Sequence, residues 1–372
     1  MRLVRLALTD FRSYETAEVE LGAGVTVFTG PNGAGKTNLI EAVGYVATFG
    51  SHRVAADAAL IRSGAPCAIL RAAVRSQARD SLVEIELNAG RANRVRLNRA
   101  PLPRPRDALG TLRCVLFAPE DLALVKGDPA ERRRYLDDLL VASRPRYAGV
   151  RADYERVLKQ RTALLKSART AGRQPAGLEA WDEQLVAKGA ELTSARLKLV
   201  AALRPGLSAS YTDIAGDSRA AALSYRQGSE RSAIHDPDPD QDKLSQTMRE
   251  WLDRLRRAEL ERGVCLVGPH RDEVELRIGE LPARGYASHG ESWSLALALR
   301  LAAFGLLRAD GDDPVLLLDD VFAELDAGRR DRLAELAADA EQVLVTAAVT
   351  ADVPAGLRGA GYRVARGVIE RA

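Results

Sequence analysis

Apolar and polar positions alternate in short runs along residues 1–118. Leu3 to Leu8 does so loosely; Ala68 to Val74, Leu82 to Leu87 and Arg94 to Leu97 do so more regularly, with Asn88-Ala89-Gly90 as a turn between the last two. A period of two predicts half-buried strands, here an antiparallel sheet. Two short runs, Val25 to Phe28 and Leu112 to Phe117, are mostly apolar and predict buried strands. Over 128–206 the period becomes helical. Tyr147, Val150, Tyr154, Val157 and Leu164 share one face; Leu178, Trp181, Leu185, Leu192 and Leu199 share another. Ala171 to Gly177 lies between them as a turn signal. The expectation is an antiparallel helical pair, each helix about 30–40 Å long at about 1.5 Å per residue. Ala221 to Tyr225, Val264 to Val267 and Val274 to Ile278 read as strands around a charged amphipathic helix, Leu244 to Glu261. The last hundred residues give an apolar helix from Ser292 to Leu307 and buried strands at Val315 to Leu318 and Val343 to Thr346. The pattern predicts an α/β fold in three segments: a core part at 1–126, a mostly helical insertion at 127–262, and a second core part at 263–372.

Composition narrows this little. A chain of 372 residues suits two domains, and 46% apolar with 28% charged residues is ordinary for a globular protein. A net charge of +3 places any basic surface locally. Cys67, Cys114 and Cys265 are scattered, which argues against a disulfide framework or zinc site and suits a reducing cytoplasmic setting. Asp10 and Arg12 come too early for a signal peptide, and Arg300 interrupts the longest apolar run, so no membrane segment is expected.

The chemistry lies where strand meets loop. Val25 to Phe28 runs into Gly30-Pro31-Asn32-Gly33-Ala34-Gly35-Lys36-Thr37, a complete G-x-x-x-x-G-K-T loop ahead of a helix. Its glycines let backbone N–H groups converge on phosphate oxygens, and the helix N-terminus favours the same anion. Lys36 is expected on the β- and γ-phosphates of ATP, and the Thr37 hydroxyl on Mg²⁺. The strand ending in Asp319-Asp320 is the expected partner, with Asp319 on the metal and Asp320 acting on the attacking water. An Asp reaches a water less well than a Glu, so slow hydrolysis is expected. Arg12 is a candidate phosphate contact from the first turn; His52 and Arg53 stand near the nucleotide or on a surface loop. Ser288-His289-Gly290-Glu291 has two readings: a capping box of the next helix, or a helix N-terminus offered to a γ-phosphate by a second copy of the chain.

The order P-loop, long insertion, Ser-x-Gly-Glu, then Asp-Asp followed by Ala323-Glu324-Leu325-Asp326 resembles the ATP-binding-cassette heads of the SMC and Rad50 class. Phe11 to Tyr14, Ser51 to Arg53, Phe117 to Asp121, Lys126 to Pro129, Arg132 to Asp137, Gly268 to Asp272 and Leu318 to Val321 narrow this to a resemblance to the RecF family of bacterial recombination mediators, over nearly the whole chain. The resemblance implies an ABC-type P-loop head with a mixed sheet, a flanking antiparallel sheet and an inserted helical arm. It implies an ATP-dependent homodimer, with Ser288, Gly290 and Glu291 meeting the opposite protomer's ATP and Asp326 crossing the interface. It also implies binding to duplex or gapped and junction DNA, and cooperation with RecR and RecO in loading RecA. Two departures stand out: Glu291 replaces the usual Gln of the signature, and Thr346-Ala347-Ala348 stands where a switch histidine belongs.

For DNA, Arg132, Arg133, Arg134, Arg151, Lys159 and Arg161 belong to a basic run in the first helical section, which suits backbone-dominated binding; a solvated helix face is the alternative. His270-Arg271-Asp272 reads as a structural turn, and Trp181, Trp251 and Trp293 as packing residues. Two rivals share the cassette. A transporter ATPase subunit is disfavoured by the long insertion; a DNA-bridging scaffold would use ATP only as a ligand.

Overall fold

The computed structural model describes residues 1–77, 79–171, 175–216, 219–228 and 233–372. Strands β1 (Arg2–Phe11) and β2 (Tyr14–Glu20) pair antiparallel across a tight turn; β3 (Gly24–Thr29) leads through the glycine loop into α1 (Lys36–Thr48). A meander follows, β4 (Cys67–Arg75), β5 (Asp80–Asn88), β6 (Arg94–Leu97) and β7 (Ala100–Pro101), and then β8 (Cys114–Phe117). Four helices come next: α2 (Leu122–Lys126), α3 (Pro129–Ser143), α4 (Tyr147–Ala171) and α5 (Leu178–Ala215). Then come β9 (Ala221–Gln227), β10 (Ile234–His235), α6 (Gln241–Arg262), β11 (Glu273–Ile278), β12 (Leu281–Pro282) and the kinked turn α7 (Ala283–Tyr286). The chain closes with α8 (His289–Ala309), β13 (Val315–Asp319), α9 (Ala327–Ala338), β14 (Gln342–Ala347), β15 (Ala360–Ala365) and β16 (Val368–Arg371).

The chain divides into two compact units. The first, the head, comprises Met1–Val125, Gly206–Ala220 and Ala287–Ala372. It contains a sheet of order β16-β15-β3-β14-β13-β8, parallel from β15 to β8, and an antiparallel sheet of order β2-β1-β4-β5-β6-β7. Leu3, Leu6 and Leu8 of β1, Ile40 and Val43 of α1, Val83 and Ile85 of β5, and Leu317 and Leu344 of the parallel sheet share one core. The alternation read along β1, β4 and β5 is the inward face of the antiparallel sheet. The continuous apolar run of β13 is a strand buried along its whole length. Gln342 stitches the two sheets together: its side-chain carbonyl accepts from Leu3 N, and its amide donates to the carbonyls of Leu3 and Gly22. α8 is long and apolar enough to cross a membrane, but the faces it would offer to lipid are buried, as in a core helix.

The second unit, the arm, comprises Lys126–Pro205 and Ala221–Tyr286. This differs from the expected insertion at 127–262. β11 pairs with β9 along its length, so residues 263–286 stay with the arm, while Gly206–Ala220 belong to the head. The arm is not purely helical; β10-β9-β11-β12 form an antiparallel sheet. Of the paired helices, α4 has 25 residues and the expected length, about 38 Å, while α5 is longer than expected. α5 has 38 residues, about 57 Å at about 1.5 Å each, because an amphipathic period weakens while the helix continues through Pro205. α4 and α5 are tied in antiparallel order by Arg146–Glu191 and Arg161–Asp182, and α6 joins α4 through Arg161–Glu259. Gly172, Arg173 and Gln174 of the expected turn lie outside the described residues. Val264 to Val267 is irregular rather than a strand, since its polar groups go to side chains: Leu266 N donates to Glu259, and Arg271 donates to the carbonyl of Cys265.

The arm has an ionic core. Arg161 is fully buried and donates to Asp182 (2.6 Å) and to both oxygens of Glu259 (3.0 and 2.5 Å). Arg196 is bidentate to Asp137 at 2.8 Å, and Arg132 to Glu273 at 2.9 and 3.1 Å. Removing one partner from such a pair strands the others' charge away from water. Replacement of Arg161 by Ala is therefore expected to destabilise the arm by about 3–5 kcal/mol, read as a shifted urea midpoint for the arm's Trp181 and Trp251 fluorescence; an unchanged midpoint would contradict this ionic core.

Candidate nucleotide site

The phosphate loop is shaped by two glycines with no room for a side chain. A Cβ at Gly30 would overlap the carbonyl oxygen of Val364 on β15. At Gly35, where φ is +112°, it would stand 2.8 Å from the Tyr14 hydroxyl, which itself donates to the Gly35 carbonyl at 3.0 Å. Buried Tyr14 thus braces the loop from the β1–β2 turn. The buried Lys36 ammonium donates to the carbonyls of Gly30 (2.9 Å) and Pro31 (3.4 Å) and lies 4.0 Å from Asp320. Pro31, Asn32, Gly33 and Ala34 complete the bend between them. These residues fit a triphosphate: loop N–H groups, a helix start and a buried cation converge on one place.

Asp319 ends β13 almost wholly buried. Two hydroxyls donate to one of its oxygens, Thr37 at 3.1 Å and Thr346 at 2.6 Å. Burial pushes its pKa up to about 6; the neighbouring Asp320 and Glu120 charges push the same way, while the two hydroxyls oppose them. A carboxylate so placed, touching the P-loop threonine, fits a divalent cation. Asp320 follows in the left-handed region (φ +50°, ψ +20°), and its N–H donates to Thr346 Oγ1 at 2.9 Å. Thr346 therefore fastens both aspartates. In the sequence Thr346 only marks a missing histidine, and a strand buried on both faces gives no sign that its hydroxyl meets β13. Ala347, the next residue of the segment that stands in the histidine's place, is buried. Glu120, in the loop after β8, lies close enough to Asp319 to raise its pKa.

Arg12 is placed differently from expectation. Its guanidinium binds both oxygens of the buried Glu41 of α1 (2.8 and 2.7 Å) and the carbonyl of Ala59 (2.9 Å), so it anchors the P-loop helix instead of pointing at a phosphate. Burial opposes ionisation of Glu41, yet hydrogen bonds from Arg12 and Ser51 and the Arg53 charge hold its pKa below the usual range. Arg53 also donates to Asn38 of α1 (3.2 Å). The Nε2 of His52 is buried without a partner among the described residues, and burial lowers that ring's pKa.

Ser288, Gly290 and Glu291 stand at the N-terminus of α8. The capping box is present: Ser288 Oγ accepts from Glu291 N at 3.2 Å, and Glu291 accepts from Ser288 N at 2.7 Å. Glu291 also takes Arg219 at 2.5 Å. Asp326 caps α9 and accepts from Arg329 N and Nη1. Arg329 in turn donates to Ser294 of α8 at 2.9 Å and lies within 3.1–3.2 Å of any Cβ at Gly290. One guanidinium therefore joins the Gly290 and Asp326 segments. Their bonds run to one another, to Arg219 and to Arg329, while Gly30 to Thr37 bond elsewhere.

Of the basic candidates, two are corrected. Arg132 and Arg161 are buried in ion pairs of the arm and cannot reach a DNA backbone. Their spacing matched the exposed arginines because a salt bridge between helices needs the same residue. Arg133 is half-buried and donates to the Asp272 carbonyl. Arg134 and Arg151 are paired within the arm but reach solvent, and Lys159 is exposed. His270-Arg271-Asp272 is structural: buried Asp272 accepts from the Tyr225 hydroxyl and Gly228 N, and His270 meets Tyr154 at 2.6 Å.

Known proteins are similar to this chain in sequence and in fold. A family model described as the RecF/RecN/SMC N-terminal domain matches residues 2–356. The chain is 59% identical to the DNA replication and repair protein RecF of Frankia alni, and 57% identical to the protein of that name from Streptomyces avermitilis, in both cases over the full length of each chain. Among solved structures it is similar to the recombination mediator protein RecF with ATP in the RecFOR pathway. That match has a TM-score of 0.90 and 25% identity, and covers 100% of this chain and 97% of the other.

The Asp319 shift has a measurable sign. Its pKa rises from 3.8 to about 6 on folding. The folded state therefore holds that proton more tightly, and the associated stability is present below about pH 4 and lost as pH rises through about 6. Asp319→Asn removes the buried charge. It should raise the nucleotide-free, metal-free protein's unfolding free energy at pH 7.5 by roughly 1–3 kcal/mol, with the gain vanishing by about pH 4. Equal stability of the two proteins at both pH values would contradict the burial argument.

Proposed function

This chain belongs to the family of RecF, RecN and SMC N-terminal domains, and we propose that it is an ATP-driven DNA clamp of recombinational repair and replication-fork maintenance. The observation that carries this is the division of the site. Within one chain the P-loop, Thr37, Asp319 and Asp320 are assembled, while Ser288, Gly290, Glu291 and Asp326 form a separate group joined by Arg329. A head-to-tail pair brings the second group of one protomer to the P-loop of the other, so ATP is bound by both and holds the pair closed. The names of its relatives, and the ATP in the similar solved structure, support that reading.

In this mechanism Lys36 leaves the Gly30 and Pro31 carbonyls for the β- and γ-phosphates. Thr37 and Asp319 would hold Mg²⁺, which would neutralise phosphate charge. Asp320 orients the attacking water, its position fixed by the bond from its N–H to Thr346. Ser288 and Gly290 of the other protomer close on the γ-phosphate with the N-terminus of α8. Hydrolysis is slow, since Asp320 is short and the segment Thr346-Ala347-Ala348 offers no histidine to sense the γ-phosphate. ATP binding closes the pair on duplex or gapped and junction DNA, hydrolysis opens it, and the protein works with RecR and RecO to load RecA in the cytoplasm. Arg134, Arg151 and Lys159 remain the arm's contributions to DNA contact.

The test is complementation between two dead proteins. Lys36→Met breaks the P-loop half and Ser288→Arg the signature half. Each alone should lose more than 90% of DNA-stimulated hydrolysis, an outcome on the order of losing one phosphate-stabilising group. Mixed in equal amounts, they form one intact composite site in the heterodimer and should recover roughly a quarter of wild-type activity by statistical pairing. No recovery on mixing would show that the two halves do not meet across a dimer.

A further inference from the structure

The head carries a basic surface that its fold does not use. Residues 91–106, from the approach to β6 through β7 and beyond, contain Arg91, Arg94, Arg96, Arg99, Arg104 and Arg106 and no acidic residue. Val95 is buried in the core, which turns Arg94 and Arg96 to the outer face of the sheet. Arg91 donates to Asn88 at 2.8 Å, Arg91 and Arg94 share Glu86 only at 3.8 and 3.9 Å, and Arg104 meets Asp107 at 3.4 Å. Arg96, Arg99 and Arg106 make no ion pair or side-chain hydrogen bond among the described residues, in a head where Arg5, Arg62, Arg71, Arg75 and Arg300 all do.

The turn itself points outward from folding needs. β6 and β7 are joined by Asn98-Arg99, both in the left-handed region (φ +52° and +71°). Asn98 suits that turn and bonds to Leu82 in both directions. At the second position glycine is strongly favoured; here an arginine is held at the tip against its backbone preference. Beyond it Pro101, Pro103 and Pro105 stiffen the segment that presents Arg104 and Arg106, and Pro101 blocks strand addition at this edge.

We propose that this hairpin is a docking surface for the phosphate backbone of duplex DNA. The reading rests on the DNA clamp proposed above and places one of its grips on the head. Six arginines and no lysine suit bidentate phosphate contact. The segment has no aromatic residue on which an unstacked base could rest, so it favours duplex over single strand. Asn93 is engaged through both ends of its amide, with Asp57 and Asn88, and the Asn98 side-chain oxygen is taken by Leu82 N, so neither can offer the paired donor and acceptor that reads an adenine edge. An anionic membrane is the poorer fit, because Val95 is buried and Leu97 and Leu102 are half-buried.

The experiment is a salt series of duplex binding by the full chain with ATP. The triple variant Arg96→Gln, Arg99→Gly, Arg106→Gln is compared with the control Arg5→Gln, Arg75→Gln, Arg332→Gln, which removes the same charge from paired positions. The single variant Arg99→Gly relieves the turn, so it should melt no lower than wild type and still bind duplex more weakly. The triple variant should bind at least tenfold more weakly at about 0.1 M salt, and its slope of log affinity against log salt should fall by about 2–3, at roughly 0.9 per phosphate contact. The inference is overturned if the triple variant matches wild type, if the control loses as much, or if the triple variant loses binding to phosphatidylglycerol vesicles while keeping it to duplex. If the wild-type chain binds no duplex at all, the clamp reading falls and this one falls with it.

Discussion

A single buried carboxylate organises the head. Asp319 sits at the end of a strand that is apolar along its length, in a place where an ionised group is costly. Thr37 reaches it from the P-loop helix and Thr346 from β14, so one oxygen joins three elements. Those elements are the ones a nucleotide site needs held in register. The same Thr346 hydroxyl accepts from the Asp320 N–H, which keeps the next carboxylate in a left-handed backbone position and within 4.0 Å of Lys36. Without a divalent cation the arrangement is unfavourable at neutral pH. That is the expected cost of a site preorganised for a charge that arrives with the ligand.

A second constraint acts from behind. Glu41 is fully buried on α1 and is held by Arg12, Ser51 and Arg53. Tyr14, two residues after Arg12, supports the loop at Gly35. The β1–β2 turn thereby fixes both the loop and the first turns of its helix. Across the head, Arg329 does the equivalent for the Gly290 and Asp326 segments. Each half of the proposed composite site is thus rigid by itself, and ATP is required only to bring rigid halves together. That division suits a protein whose nucleotide controls association.

Much of this was legible in the sequence because it depends on local rules. A glycine loop between an apolar strand and a helix, an apolar strand ending in Asp-Asp, and period-two runs at 68–74 and 82–87 each specify their own structure. The capping box of Ser288 and Glu291 was also legible, and it is compatible with a role toward a phosphate. What was not legible depends on partners far apart in the chain. Arg161 reads as one charge in a basic run until Asp182 and Glu259 are brought around it. Arg12 reads as a phosphate ligand until Glu41 meets it. The boundary of the arm was misplaced because β9 and β11 are separated by a long helix and declare their pairing only in three dimensions. The unpaired arginines of the β6–β7 hairpin were passed over for the opposite reason: the sheet pattern explained the segment, and the outward face needed no explanation until the structure showed how few of its charges are matched.

The central claim is that one chain holds half of a site and ATP joins two. The most direct measurement is the molar mass of the full chain in solution, by light scattering, with Mg²⁺ and ATP, with Mg²⁺ and ADP, and without nucleotide. The account predicts a dimer with ATP and a monomer in the other two conditions. A monomer throughout, or a dimer of the same stability whatever the nucleotide, would contradict it.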